Sequence, residues 1–410
     1  MTAPLSHIRV LDLSRILAGP WATQYLADLG AEVIKIERPV SGDDTRDWGP
    51  PFALEGTPDE PAISAYFSCA NRGKKSAAID MSTQQGQAII RALAEKSDVV
   101  VENFKVGGLK NYGLDYESLK KVNPRIIYCS ITGFGQTGPY ASRAGYDFLL
   151  QGMGGLMSIT GEPDDVPGGG PMKVGVAISD EITGMNALAG ILAALINRDK
   201  TGAGEHIDVA LLDCTVSALA NQAASYHVAG IVPGRMGNAH PTVVPYRVFA
   251  TSDGHIVLAI GNDSQFTRCC EVAGIPEVAR DQRYKTNRQR TINRDTLIPL
   301  LDEVIRQRPS AEWMALLEAA SVPCGPINTI DQVFADPQVQ HRQMRRVTLH
   351  PHAGEIPVTA NPIRLSAHDT TAAKAPPRLG EDTESVLRDV LEYDAEQLGH
   401  LRDAGVIETR

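Results

Sequence analysis

Asp180 stands between an alternating run, Val174, Val176 and Ile178, and a helical one, Met185, Leu188, Ile191, Leu192 and Leu195. This spacing predicts a strand, then a helix, with the carboxylate at or beside the helix N-terminus. Unpaired backbone N–H groups and the positive end of the helix dipole favour its ionised form there. An aspartate so placed is most often an ordinary cap, so only the rest of the chain can make it a nucleophile.

Other reactive patterns are sparse. Arg38 directly follows a strand-like run at 32–37, where a guanidinium at the carboxyl edge of a parallel sheet suits a phosphate-bearing ligand, although a lone loop arginine is equally at home in solvent. Gly-rich stretches at 152–155, at 168–170, and at Gly261 with Asn262 and Asp263 read either as turns or as loops that bring backbone close to a reacting carbonyl. No HExxH, paired CxxC or EF-hand loop appears, and His350 with His352 flanks a proline, so metal catalysis has no support. Cys324 in VPCGPIN has no base nearby. The first βα turn, SRILAGP, lacks GxGxxG and argues against a nicotinamide dehydrogenase.

The elements that must position Asp180 begin with a βαβ unit. A strand at 8–12, a helix entered near Pro20 and ended by Gly30, and a strand at 32–37 imply a parallel sheet. Strand-like runs at 98–102 and 125–130, with helical patterns at 86–94 and 116–122, extend it to a doubly wound, Rossmann-like α/β core. After the helix ending near Lys200 the pattern changes. Runs at 246–251 and 255–260 flank Asp253-Gly254 as a hairpin, and helical patterns at 264–273, 293–306 and 311–320 complete a smaller α+β domain. Residues 366–379, rich in Ala, Pro and Thr, read as a connector, followed by short helices at 383–391 and 394–404.

Composition narrows the partners. With 410 residues, 43% of them hydrophobic, the chain can fill two or more domains. A net charge of −10 without a basic stripe makes nucleic acid an improbable partner. The longest apolar run, 187–196, is too short for a bilayer span, and 1–14 lacks a basic segment before an apolar core. Six cysteines without CxxC spacing suit a reduced, cytoplasmic chain.

Taken in order, LDLSRILAGPWATQYLADLGAEVIKIERPVSGDDTR (11–46), NRGKKSAAIDM (71–81), DVVVENFKVGGLKNYGL (98–114), GFGQTGP (133–139), GYDFLLQGMGGLMSITG (145–161), the Asp180 helix and GNAHPTVVPYRVF (237–249) resemble the class III CoA-transferase family. This family contains formyl-CoA transferase, carnitine CoA-transferase and α-methylacyl-CoA racemase, and the pattern is nearest the dicarboxylate-handling transferases. The resemblance implies that Asp180 attacks an acyl-CoA thioester, forming an aspartyl anhydride and then an aspartyl-CoA thioester, with Gly261 and Asn262 in the active-site glycine loop. It implies CoA contacts at Leu17, Ala18, Arg38, Ile79, Asp80, Met81, Ser82, Asn103, Phe104, Lys105, Tyr146 and Asp147. CoA and acyl-CoA are then substrates, with no permanently bound cofactor and no metal.

The resemblance also implies an interlocked homodimer. It divides the chain into a large CoA-binding domain at 1–200, a linker at 201–235, a small domain at 236–330 and a return segment at 331–410. Two departures weaken any transfer of formyl or oxalate specificity and of one CoA contact: Leu17 stands where some members have glutamine, and Asn111 replaces a basic residue, with Lys105 and Lys110 as substitutes. The racemase branch has histidine in the Gly-His-Asp triplet, where this chain has Gly145-Tyr146-Asp147. A phenol of pKa about 10 is a poor base, which favours transfer over racemisation, while the intact Asp180 and glycine loops favour it over noncatalytic CoA binding. A dicarboxylate acceptor would need a cationic anchor, for which Arg15, Arg72, Lys74 and Lys75 are candidates.

Overall fold

Short apolar runs rich in Val and Ile form strands β1 (Arg9–Asp12) and β2 (Glu32–Glu37). Between them runs the helix Ala18–Asp28, which Gly30 ends at φ 101°. The computed structural model describes residues 3–54, 56, 62–371 and 374–410. A small antiparallel pair, β3 (Phe52–Leu54) with β4 (Ile63–Ser64), precedes β5 (Lys74–Ile79), β6 (Val99–Glu102), β7 (Ile127–Thr132) and β8 (Glu205–Ala210).

One unit comprises Met1–Leu156, Val174–Ala224 and Pro337–Arg410, and the other Met157–Lys173 and Ser225–Asp336. In the second, β9 (Tyr246–Ala250) and β10 (His255–Ala259) form the expected hairpin, and β11 (Cys324–Gly325) extends it. Phe266, Leu297, Leu301, Trp313 and Leu317, from three helices, fill the core of this unit. In the first, β12 (Arg345–His350) pairs with β13 (Gly354–Thr359), and β14 (Ile407–Glu408) joins the large sheet.

The large sheet runs β14-β5-β2-β1-β6-β7-β8, parallel except for β14. Its six parallel strands therefore stand in the doubly wound order 3-2-1-4-5-6, with the reversal between β1 and β6. One face is covered by the helices Ala18–Asp28 and Ile178–Thr201, through residues such as Leu26, Leu188 and Ile191. Helices Gln84–Glu95, Tyr116–Val122, Thr383–Leu391 and Ala395–Asp403 cover the other, through Ile90, Leu119, Leu387 and Leu398. The α/β class holds without a GxGxxG turn.

Two expectations change. Residues 201–235 are not simply a linker, because β8 lies in that span and pairs with β7 along its whole length. The run at 174–178 is not a strand: Val174 N–H donates to Gln151 Oε1 at 2.9 Å and Gln151 Nε2 donates to Val176 C=O at 3.4 Å. The buried Gln151 amide satisfies this backbone where a neighbouring strand was expected. The connector at 366–379 includes residues 372 and 373, which lie outside the described residues.

Candidate active site

A cavity of about 950 Å³ opens at the carboxyl ends of the parallel strands, beside the β1/β6 reversal. This is the crevice where doubly wound sheets take ligands. Its lining includes Leu17, Ala18, Arg38, Ile79, Asp80, Met81, Ser82, Asn103, Phe104, Lys105, Tyr146 and Asp180. Residues from six separate stretches thus meet, four of them because they follow the neighbouring strands β1, β2, β5 and β6.

Asp180 is the third residue of the helix Ile178–Thr201, and not its cap. The capping falls to Asp147, whose Oδ1 accepts from Ser179 N–H at 2.8 Å and whose Oδ2 accepts from Gln151 Nε2 at 2.7 Å. Asp147, expected against CoA, is absent from the cavity lining and holds the start of the Asp180 helix instead. Among the described residues the Asp180 carboxylate accepts no hydrogen bond. Burial first, then the charges of Asp147 and Glu181, push its pKa up to about 7.

That reverses the expectation that the helix dipole would favour the ionised form. A dipole contributes roughly 0.3–1 kcal/mol, under one pKa unit, whereas desolvation of a carboxylate can move its pKa by about 3–5 units. The carboxyl is consequently poised near neutrality, and a strongly shifted, buried carboxyl in a cleft marks a candidate functional group.

The cavity rim carries the cations. Arg38 is exposed, and among the described residues its side chain has no ion pair. Lys105 is likewise exposed at the wall. Asp80 serves its own loop, accepting from Ser82 N–H at 2.9 Å and Ser82 Oγ at 2.7 Å. Arg15 meets Asp44 at 2.9 Å while half-exposed, and lies over the Phe104 ring at 5.6 Å.

The other basic candidates are committed elsewhere. Lys74 is fully buried against Asp12 at 3.0 Å, and also donates to Asn71 Oδ1 and Pro20 C=O. Arg72 holds Asp28 at 2.5 Å, and Lys75 holds Glu32 at 2.6 Å. Lys74 and Lys75 open β5, so their backbone sits at the amino edge of the sheet, away from the carboxyl edge where an acceptor anchor would be needed. Arg15 alone of the four lines the cavity.

Gly261 and Asn262 belong to the second unit. Asn262 caps the helix Asp263–Val272, its Oδ1 accepting from Gln265 N–H at 2.9 Å, and Gly261 N–H donates to Gln265 Oε1 at 2.8 Å. This loop is ordered by its own polar groups.

Three features escaped the sequence reading. Tyr66, on the short helix Ala65–Ala70, senses Asp180: burial first and then the Asp180 charge push its phenol up to about 12. Gly184, one turn beyond Asp180, lets its helix approach the backbone of Ala18. Beneath the first turn lies a buried ionic layer, with Lys35 to Asp43 at 2.8 Å and Arg46 to Glu37 at 2.6 Å. The last had a signal, since Asp12, Lys35 and Glu37 interrupt otherwise apolar strands. Such charges are buried only when paired.

The chain belongs to CoA-transferase family III, whose profile matches residues 5–383. It is 50% identical over 388 residues to the succinate–glutarate CoA-transferase of Agrobacterium fabrum, covering 94% of this chain and 96% of that one. It is 45% identical over 405 residues to the succinyl-CoA:glutarate CoA-transferase of Homo sapiens, covering 99% and 90%. Its structure is similar to the crystal structure of a CaiB/BaiF family protein from Brucella suis, with TM-score 0.83 and 48% identity over 95% of this chain and 100% of that one. The protein is a CoA-transferase. Among the described residues no helix is long and apolar enough to cross a membrane.

Proposed function

We propose that this enzyme moves CoA from succinyl-CoA to a small dicarboxylate such as glutarate, through covalent intermediates on Asp180. The likeness to two succinate–glutarate transferases over nearly the whole chain carries the substrate reading. The Asp180 carboxylate attacks the succinyl thioester carbonyl and CoA leaves as thiolate, giving a mixed anhydride. The thiolate attacks the aspartyl carbonyl and frees succinate. A glutarate carboxylate then attacks the aspartyl-CoA thioester, expelling thiolate, which attacks the glutaryl carbonyl of the second anhydride and returns the Asp180 carboxylate.

In this reading Arg38 holds a phosphate of CoA, and Leu17, Ala18, the Ile79–Ser82 loop, the Asn103–Lys105 loop and Tyr146 shape its channel. Arg15 is the candidate anchor for the far carboxylate of the acceptor. Gly261 and Asn262 complete the site within an interlocked homodimer, in the cytoplasm.

A donor-by-acceptor panel with free CoA monitored tests the exchange, comparing glutarate with its monomethyl ester and with a monocarboxylate of equal length. Equal use of the monoacid removes the second-carboxylate anchor and with it the dicarboxylate assignment. Mass spectrometry after donor incubation and hydroxylamine trapping must find the adduct on Asp180; an adduct on another residue removes the mechanism. Sedimentation showing a fully active monomer removes the dimer.

A further inference from the structure

Ile16 lies at φ 71°, in the left-handed region that β-branched residues avoid, at the point where the chain leaves β1 for the Ala18–Asp28 helix. Nothing in its own sequence favours that conformation. Three neighbouring groups impose it.

Asn103 contributes two of them. Its Oδ1 accepts from Arg15 N–H at 2.9 Å and its Nδ2 donates to Arg15 C=O at 2.6 Å. Strands β1 and β6 pair as far as Asp12 and Val101, with Leu13 N–H still donating to Val101 C=O at 2.8 Å. There the two chains part to open the crevice. The Asn103 side chain continues the pairing across the gap, meeting both peptide groups of Arg15 as a backbone would. Asp43 contributes the third contact, with both carboxylate oxygens 3.3 Å from Ile16 N–H. Its own position is fixed by the fully buried Lys35 at 2.8 Å and by Thr45 N–H at 3.0 Å.

We infer that Asn103 and Asp43 are positioning residues, which hold Ile16 in the left-handed kink so that Leu17 and Ala18 keep their place beside Asp180. The inference rests on the transferase reading only for its activity arm. It assigns the Asn103 side chain to the protein's own backbone and not to CoA. A shift of the turn reaches Asp180 directly, because the Asp180 helix packs against the Ala18 backbone at Gly184.

The test is a double-mutant cycle on the full-length enzyme with Asn103→Ala and Ile16→Gly, since glycine adopts the left-handed region without steric cost. If the side chain holds the kink, Asn103→Ala lowers kcat by about tenfold or more and leaves the KM for acyl-CoA within about threefold. Adding Ile16→Gly to Asn103→Ala then restores most of the lost kcat. A raised KM with unchanged kcat, or no rescue, overturns the inference and makes Asn103 a ligand contact.

The same cycle read by melting midpoint without CoA is independent of the proposed reaction. Asn103→Ala should lower the midpoint less in the Ile16→Gly background than in the native one, and equal losses overturn the inference. Asn103→Asp, which keeps the acceptor for Arg15 N–H but loses the donor, takes the place of Asn103→Ala if that variant does not fold. A wild-type protein that shows no CoA transfer but retains the melting coupling would defeat the proposed function and leave the clamp standing.

Discussion

Gly184 and Ala18 are so close that a methyl group on Gly184 would lie 2.7 Å from the Ala18 carbonyl oxygen. Backbone faces backbone there, so no side chain can swing aside. Gly184→Ala should therefore separate the Asp180 helix from the first turn. Relief of the helix-interior glycine is worth roughly 1 kcal/mol, and overpacking costs roughly 1–3 kcal/mol, so the urea midpoint should fall modestly. Turnover should fall more, by about a hundredfold for a displacement near 1 Å. Unchanged turnover would show that this contact does not set the position of Asp180.

Asp180→Asn should abolish transfer, since an amide is a poor nucleophile, yet raise the melting temperature at pH 8. The folded-state pKa of about 7 lies above the ordinary 3.8, so the folded protein binds this proton more tightly than the unfolded chain does. Stability from this group is full at low pH and is lost as pH rises towards 7. The advantage of Asp180→Asn should accordingly shrink as the pH is lowered from 7 towards 4, which calorimetric melts across that range will show. For the wild type, kcat/KM for acyl-CoA should climb to a plateau above about pH 7 as the carboxylate ionises.

Arg38→Ala should raise the KM for acyl-CoA by about tenfold to a hundredfold, the worth of one charge-assisted hydrogen bond at roughly 1.5–3 kcal/mol. The KM for the acceptor acid should stay put. Steady-state kinetics with each substrate varied in turn decides this, and an equal effect on both would move Arg38 away from the phosphate role.

Lys74→Met and Arg15→Ala should differ in kind. Removing Lys74 leaves the fully buried Asp12 short of a partner, a loss of about 3–5 kcal/mol that denaturant unfolding should register with no change in acceptor preference. Arg15 is 40% exposed and its pair with Asp44 is worth about 0–1 kcal/mol, so Arg15→Ala should melt normally. If Arg15 anchors the acceptor, this variant alone narrows the ratio of diacid to monoester use.

Periodicity served where an element buries one face or both. The helix predicted at 116–122 and the strand at 32–37 stand as read, because apolar spacing there reflects packing in the core. β5 was missed because its sequence, KKSAAI, opens with two lysines, and its burial depends on Asp12 and Glu32 lying across the sheet. β8 was missed for a similar reason, since EHIDVA alternates weakly and is fixed by β7. At the site, Asp180 and Arg38 were legible from their places beside predicted elements. The pKa of Asp180 was not, because it depends on burial and on Asp147, thirty-three residues earlier. The left-handed Ile16 was equally hidden, since its causes are Asn103 and Asp43, each far along the chain.

The pairing of β14 with β5 also bears on how the chain leaves the ribosome. Ile407 and Glu408 pair with Ile79 and Ala78 at the outer edge of β5, and Gly380 N–H donates to Ser76 Oγ on the same strand. Residues 80–406 must all be made before that edge closes, and until then β5 presents unpaired backbone to any passing strand. Lys74 and Lys75 are the first residues of this waiting edge. Charged side chains beside an open edge are one way sheets discourage such pairing, a property these lysines carry in addition to the ion pairs they make with Asp12 and Glu32 in the finished sheet.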